Sequence, residues 1–228
     1  MLSAIEEDRI AQAVSLAEEG SSGEIVCALA GEVSGYREVP IAWAAAAALA
    51  LPPIAVGLGL HPLALAGRGG AWMAAQAGAV EPQIALALTL NAAIQVVLFA
   101  LVALLVSIPT IRRLLTPSSV KRHRVARAAH HQFAAVSARA TGSETGILIF
   151  VAIEDRQVQI LAHAAIHQKC GETVWRQAAG EIQNAMKDGK DPTAGIVKAV
   201  EICGAALREH FPSSKPPAHS FSSRPIEV

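Results

Sequence analysis

The side chains best suited to chemistry lie between residues 154 and 170. Glu154 and Asp155 are adjacent carboxylates, which are ligands that hard divalent cations prefer. His163 and His167 are four residues apart, so they share one face if that stretch is helical, and Cys170 follows as a possible third ligand. The alternative is a short polar loop or helix edge, because no HExxH or CxxC pattern accompanies them. Glu154, Asp155, His163 and His167 are therefore the candidates for a divalent cation, and we expect no catalytic residue and no other cofactor.

Motifs for other kinds of catalysis are missing from the sequence. Residues 21–23 (SSG) lack the lysine of a phosphate-binding loop, and no GxSxG or dinucleotide fingerprint occurs. His123, His130 and His131 lie in a basic segment, where they form either a pH-sensing or anion-binding surface or a solvated face beside lipid headgroups. The second interpretation is the simpler one.

The composition of the chain indicates a membrane protein. Of its 228 residues 52% are hydrophobic and 17% are charged, whereas about 25% is usual for soluble domains. The net charge is zero, with 19 basic and 19 acidic residues, so the chain as a whole does not have the basic excess of a nucleic-acid binder. Three cysteines are too few for a disulfide scaffold and suit free thiols in a reducing compartment.

Two long uncharged segments account for the apolar excess. Residues 41–60 and 84–108 each reach the roughly 20 residues that span a hydrocarbon core. The first span, whose limit extends to about residue 62, contains Pro52 and Pro53, so it either kinks or re-enters the membrane. Neither segment is a signal peptide, because 40 residues with many acids precede the first. Residues 39–110 are thus predicted to form a transmembrane hairpin with residues 67–83 as its connection.

Basic residues set the predicted orientation of this hairpin. Six of them follow the second span, whereas the connection contains only Arg68; they are Arg112, Arg113, Lys121, Arg122, Arg124 and Arg127. The side rich in Lys and Arg is the cytoplasmic one, so both termini should be cytoplasmic in a protein of the inner (plasma) membrane. We expect these six side chains to contact anionic lipid.

Two amides interrupt the second span. Asn91 and Gln95 are four residues apart, and polar side chains at this depth usually find partners across a helix interface. We expect them to pack on the first span or on another copy of the chain. A transport pathway is the alternative, but it normally includes ionisable residues inside the membrane.

The residues outside the hairpin have the pattern of a small α/β domain in two parts. Helices are predicted over residues 3–19, 120–139, 172–187 and from 191 to about 210, and strands over 24–30, 145–153 and 158–161. Because one helix and one strand cannot bury their own apolar faces, residues 1–38 should join residues 111–212 in one domain. Residues 213–228 should form a flexible tail, rich in Ser and Pro.

The order of these elements resembles the TPM domain family. The matching segments are residues 22–26 (SGEIV), 145–151 (TGILIFV), 158–161 (VQIL), 174–175 (VW), 201–204 (EICG) and 210–212 (HFP). The layout is most similar to a bacterial branch of predicted membrane proteins in which a transmembrane hairpin interrupts the domain after its first strand. The resemblance implies a small α/β sandwich with at least three strands and flanking helices.

The resemblance also implies two possible functions. Some family members are described as acid phosphatases or calcium binders that use acidic residues in loops near the sheet. In this chain the segment after the predicted strand hairpin, residues 162–171, contains no acid. We therefore expect an uncharacterised membrane protein whose cytoplasmic module binds a protein partner or assembles a membrane complex; the alternative is a membrane-tethered, metal-dependent phosphatase or other hydrolase.

Overall fold

The computed structural model describes residues 3–60, 80–139, 146–187, 191–213 and 223–227. The chain divides into two compact units. Unit 1 contains residues 1–35 and 118–228, and unit 2 contains residues 36–117.

The helices and strands of the described residues follow the predicted order. The helices are α1 (Ala4–Glu18), α2 (Glu38–Gly57), α3 (Val80–Ser107), α4 (Pro109–Leu115), α5 (Ser118–Arg139), α6 (Ala164–Cys170), α7 (Glu172–Lys187) and α8 (Pro192–His210). The strands are β1 (Glu24–Ala30), β2 (Gly146–Ala152), β3 (Gln157–Ala162) and β4 (Ile226–Glu227).

The strands of unit 1 form one sheet in the order β3-β2-β1-β4. β1 pairs in parallel with β2 from Glu24↔Gly146 to Ala30↔Ala152, and β3 pairs antiparallel with β2. Parallel neighbours need a long crossover, and here the chain between them includes the helix α5. The predicted α/β fold with at least three strands and flanking helices is confirmed, because a strand from before the apolar segments joins strands from after them.

Both faces of this sheet are covered, which explains why its central strands are almost entirely apolar. On one face Ile149 packs with side chains of α1, α7 and α8. On the other face Leu148 and Phe150 pack with Val125 and Ala129 of α5. Alternate residues of a strand point to opposite faces, so β2 contributes to both cores and is fully buried over most of its length.

Small residues allow the helices of unit 1 to approach closely. A Cβ atom placed on Gly204 of α8 would lie 2.5 Å from the Cβ atom of Ala17 in α1, and one on Gly23 would lie 2.7 Å from Leu207.

α1 begins at a capping box, in which Ser3 accepts a hydrogen bond from the Glu6 amide while the Glu6 carboxylate accepts one from the Ser3 amide.

Unit 2 is built on the packing of α2 against α3. Apart from Val39 at its start, the buried residues of α2 recur every four positions, at Pro40, Ala44, Ala48 and Pro52, and form one stripe of the helix. α2 remains helical through Pro52 and Pro53 over 20 residues. A stripe of small side chains of this kind allows two helices to approach closely.

Three elements were not predicted from the sequence. They are α4, which begins with Pro109 at its first turn, α6, and the short strand β4, which pairs in parallel with β1 inside the segment predicted to be a flexible tail. The last two residues of the predicted first span, most of the predicted connection (residues 67–79) and residues 214–222 of the tail lie outside the described residues.

Candidate functional site

The carboxyl edge of β1 and β2 carries two of the four metal candidates. Because the two strands are parallel, the loop after β1 and the turn after β2 meet at the same edge. The pairing continues beyond the strands, since the Ile153 amide donates to the Ala30 carbonyl (2.9 Å) and the Glu154 amide donates to the Gly31 carbonyl (3.0 Å). This edge is therefore where Glu154 and Asp155 are positioned.

Asp155 and Glu154 lie in different environments although they are neighbours. Asp155 is only 3% exposed, and its Oδ2 accepts a hydrogen bond from the Val33 amide at 3.3 Å. Its Oδ1 atom is buried and has no hydrogen-bond partner among the described residues. Glu154 is exposed. The Asp155 carboxylate thus ties the loop after β1 to the turn after β2.

A cationic side chain also reaches this loop. The Arg124 guanidinium of α5 donates a hydrogen bond to the Ser34 hydroxyl, one residue beyond Val33. The six basic residues predicted to lie near the membrane are divided between the two units. Four of them are in α5 of unit 1, and two, Arg112 and Arg113, are in α4 of unit 2. Arg122 and Arg127 are exposed, whereas Arg124 is partly buried.

His163 lies at the opposite end of the strand hairpin from Asp155. Its amide donates to the Gly146 carbonyl (3.1 Å), at the start of β2. Its Nε2 atom lies 3.2 Å from the Ser137 hydroxyl, and its ring packs at 5.1 Å from the Phe133 ring. β3 separates this position from the acidic turn by about 20 Å, at roughly 3.3 Å per residue. The structure does not bring the carboxylate pair and the histidines together.

The histidine and cysteine candidates also diverge from one another. His163 is the N-cap of α6, so it lies just outside the helix, although the His167 amide one turn later donates to the His163 carbonyl (2.9 Å). His167 is exposed, and the Cys170 thiol faces the Ala206 carbonyl of α8 at 3.9 Å. Across the part of the chain that the structure describes, no three His, Cys, Asp or Glu residues form a group able to hold a metal.

The calcium site that the family resemblance implies does not fit these residues. A hard divalent cation takes six to eight oxygen ligands, and its protein sites combine several carboxylates and carbonyls. Asp155 offers one buried carboxylate oxygen without a hydrogen bond, but the described residues place no group of three acids around it. The described residues therefore supply one possible ligand oxygen but not the further ligands that a calcium site needs.

The three cysteines are free thiols. Burial raises the pKa of Cys203 to about 12 and raises the pKa of Cys27 further. Burial also raises the pKa of Cys170, which is only partly covered. Since the thiolate is the reactive form, these residues are protonated at neutral pH and act as small apolar side chains.

The apolar surface of unit 2 is its most unusual feature. Two segments, Glu38–Gly57 and Ala87–Ser107, are long and apolar enough to cross a bilayer, and only 28% and 6% of their most apolar windows are buried. Large apolar side chains are exposed along both helices, including Leu49 (69%), Val96 (69%) and Leu104 (72%). A core helix of a soluble protein would instead be mostly buried.

One end of unit 2 has the composition of a membrane interface. The indole Nε1 of Trp43, near the start of α2, donates to the Leu115 carbonyl at the end of α4 at 3.2 Å. α4 also contains Arg112 and Arg113 beside Leu114, which is 85% exposed. Tryptophan and basic residues are typical of the interfacial layer. The sequence signal for α4 was Pro109, which favours the first turn of a helix.

Comparisons with known proteins agree with this fold. A family model described as the TPM domain matches residues 108–206, which include α5, β2, β3, α6, α7 and most of α8. Among solved structures, the NMR structure of the BA42 protein from the psychrophilic bacterium Bizionia argentinensis is similar. The TM-score is 0.55 at 18% identity, and the match covers 100% of this chain and 96% of that one. No curated protein matches this chain.

The fold is therefore of the TPM class, as the sequence resemblance implied. This chain contains a TPM domain, and the strand β1, which lies before the matched residues, completes its parallel pair. At the identity found, the likeness to the BA42 protein concerns the fold alone.

Proposed function

We propose that this chain is an integral protein of the inner (plasma) membrane whose TPM domain lies in the cytoplasm and serves in partner binding or membrane-complex assembly without catalysis. The observation that carries the membrane part is the exposure of long apolar side chains along α2 and α3. Exposed apolar patches on soluble monomers rarely exceed a few hundred Å². Lipid is the solvent in which such a surface is stable.

Unit 1 contains residues from before and from after the two apolar helices, which supports an even number of membrane crossings. The chain leaves unit 1 after Gly35 and returns to it at Ser118, and β1 and β2 from the two parts pair over seven residues. A single crossing would leave these two strands on opposite sides of the membrane. This favours α2 as a true span over a re-entrant segment, since its 20 helical residues extend about 30 Å.

The basic residues support the cytoplasmic orientation. Arg112 and Arg113 follow α3 directly, and Trp43 at the start of α2 contacts the same short helix α4. Basic residues beside a span favour the cytoplasmic side. Arg122 and Arg127, exposed on α5, are suited to contact anionic lipid headgroups.

Reporter fusions to the full chain test this topology. A fluorescent protein that matures only in the cytoplasm is expected to fluoresce at either terminus, whereas alkaline phosphatase should be active only when inserted among residues 67–79. The protein should stay in the membrane pellet after alkaline carbonate extraction. Termini on opposite sides, or release by carbonate, would contradict the proposal.

The dispersal of the candidate side chains supports a role without catalysis. The acidic turn, His163 and the Cys170 thiol contact different parts of the domain. In vivo crosslinking of the full chain should then capture a reproducible set of membrane proteins. Recovery of no protein above the level of a matched membrane control would count against partner binding.

A metal-dependent phosphatase is the second candidate, because Asp155 has a buried oxygen without a hydrogen bond. It predicts that Ca²⁺, Mg²⁺ or Mn²⁺ raises the thermal midpoint of the purified full chain and supports hydrolysis of a phosphate monoester. Asp155→Asn should abolish both effects. A midpoint that does not depend on these ions, with no ester hydrolysis, would remove this candidate.

A further inference from the structure

The polar side chains inside α3 differ in how they are satisfied. The Thr89 hydroxyl donates to the Ala85 carbonyl (2.8 Å), and the Ser107 hydroxyl donates to the Ala103 carbonyl (2.7 Å). The amides of Asn91 and Gln95 make no hydrogen bond to any other described residue. The two hydroxyls are thus satisfied within their own helix, and the two amides are not.

These amides lie deep in the proposed span. The apolar segment Ala87–Ser107 is centred at residue 97, so at 1.5 Å per residue Gln95 lies about 3 Å and Asn91 about 9 Å from the midplane. Both depths are inside a hydrocarbon core of about 30 Å. No water is available there to hydrogen-bond an amide, and an unsatisfied polar group costs several kcal/mol in such surroundings.

The helix α2 offers these amides no polar side chain. Its buried stripe of Pro40, Ala44, Ala48 and Pro52 is made of proline and alanine. Pro52 and Pro53 lack N–H groups, so the Ala48 and Leu49 carbonyls have no helical donor. These two carbonyls are the groups of α2 that could accept a hydrogen bond from an amide. Neither amide is bonded to them among the described residues.

The amides border a face of α3 that is suited to another helix. Leu88, Ala92, Gln95 and Phe99 follow the 4-3-4 spacing of a helix-packing seam. Leu88 is 65% exposed, Phe99 is 38% exposed, and Ala92 is exposed and small enough for close approach. Gln95 lies within this seam and Asn91 beside it, and both side chains are partly covered.

We propose that α3 binds α3 of a second copy of this chain, in parallel, through hydrogen bonds between the Asn91 and Gln95 amides. A carboxamide both donates and accepts, so it is complementary to an identical group. Copies inserted with the same orientation present their amides at the same depth, which a partner without polar groups at that depth cannot match. A buried polar pair of this kind also sets the register of the two helices.

The test is the self-association of the full chain in vesicles of phosphatidylcholine with a minor share of phosphatidylglycerol. Energy transfer between donor- and acceptor-labelled copies is measured as the protein-to-lipid ratio is varied. The wild type should associate, and Asn91→Ala and Gln95→Ala should each weaken association by about three- to thirtyfold, more when combined. Thr89→Val is the matched control, because its hydroxyl is satisfied within α3, and it should leave association unchanged.

Cysteine crosslinking locates the interface independently. Ala92→Cys, which lies in the seam and leaves both amides intact, should form an intermolecular disulfide in oxidised membranes, whereas Val97→Cys, about 140° around the helix and 58% exposed, should not. A wild type that stays monomeric at every ratio, or a double variant that associates as the wild type does, would overturn the proposal. If that double variant also lost helical content, the amides would stabilise the packing of α3 on α2 instead.

This inference depends on the membrane placement proposed above, and the two can fail separately. A chain that does not insert is released by alkaline carbonate. A chain that inserts but is monomeric remains in the pellet and shows no energy transfer.

Discussion

The two units of this protein place the same kinds of side chain in opposite positions. In unit 1, Leu148, Ile149 and Phe150 are completely buried in the sheet. In unit 2, Leu49, Val96 and Leu104 are exposed by 69%, 69% and 72%. The difference lies in how many faces of its elements each architecture can cover.

The physical reason is geometric. A sheet with helices on both faces buries every side chain of its central strands. Two helices that pack only on each other bury one stripe each, as α2 does with Ala44 and Ala48, and leave the remaining surface outside. If that remainder is apolar, water is a poor solvent for it, and in the function proposed above lipid covers most of it.

The largest effect should come from truncating the sheet core. Ile149→Ala removes packed methyl and methylene groups from a fully buried position, so we expect a loss of about 2–5 kcal/mol in the free energy of unfolding. Leu104→Ala, the matched change in α3, should change the free energy of insertion by about 0.5 kcal/mol or less, because lipid fills the space. Urea unfolding of the full chain in micelles, followed by far-UV circular dichroism, measures the first change. Equal losses of stability would mean that α3 is packed like the sheet.

A charge introduced into α3 tests whether lipid or water surrounds this helix. Val96→Arg should disfavour insertion by about 2.5–3.5 kcal/mol, since it places a cation near the centre of the span. Ile5→Arg, at a similarly exposed position in unit 1 (75%), should cost about 0.5 kcal/mol or less. The fraction retained after carbonate extraction reports the first effect and thermal unfolding reports the second. If Val96→Arg were as harmless as Ile5→Arg, α3 would face water.

Two helical glycines sharpen the account of packing in unit 1. Gly204→Ala would push its Cβ atom against Ala17 at 2.5 Å, so we expect a net loss of stability of about 1–2 kcal/mol. Gly180→Ala has open space around its Cβ position and should stabilise the protein by about 0.5–1 kcal/mol. Thermal unfolding of both variants gives the sign of each change in stability. A stabilising Gly204→Ala would show that α1 and α8 are not in close contact.

The buried carboxylate of unit 1 gives an effect of similar size. Asp155→Ala leaves the Val33 amide without its acceptor, at a cost of about 1–3 kcal/mol. Asp155→Asn retains an acceptor oxygen and should cost less. Chemical denaturation of both variants makes the comparison; if Asp155→Asn were the more damaging change, the charge itself and not the hydrogen bond would be what stabilises the loop.

The smallest effect concerns the exposed start of α1. Hydrogen bonds from the Ser3 amide (2.6 Å) and the Ser3 hydroxyl (2.7 Å) lower the pKa of Glu6. The contribution of this contact to stability is therefore complete above the unfolded pKa of about 4.3, and it is lost as the pH falls through the lowered folded pKa. Glu6→Gln should reduce the acid sensitivity of the thermal midpoint, whereas Glu7→Gln, which removes an equal charge outside the capping box, should not. Identical pH profiles for the two variants would contradict this role.

Much of the fold was predictable because its signals are local. The apolar run EIVCALA predicted β1 at its observed limits, and the helix predicted over residues 3–19 agrees with α1 to within one residue at each end. β4 was not predictable, since two residues in a tail rich in Ser and Pro become a strand only because β1 offers a free edge. The same applies to α6, whose start at His163 places this residue at the N-cap, just outside the helix that contains His167.

The sequence by itself determined the two long apolar helices and the buried central strands, because length, composition and periodicity act over neighbouring residues. The sequence predicted that the two parts join in one domain, but only the tertiary structure decided that β1 pairs directly with β2, in parallel and with Glu24 opposite Gly146. It also decided that Asp155 holds the loop at Val33 while His163 lies at the far end of the hairpin. Proximity between distant residues depends on the path of the whole chain, and no local pattern encodes that path.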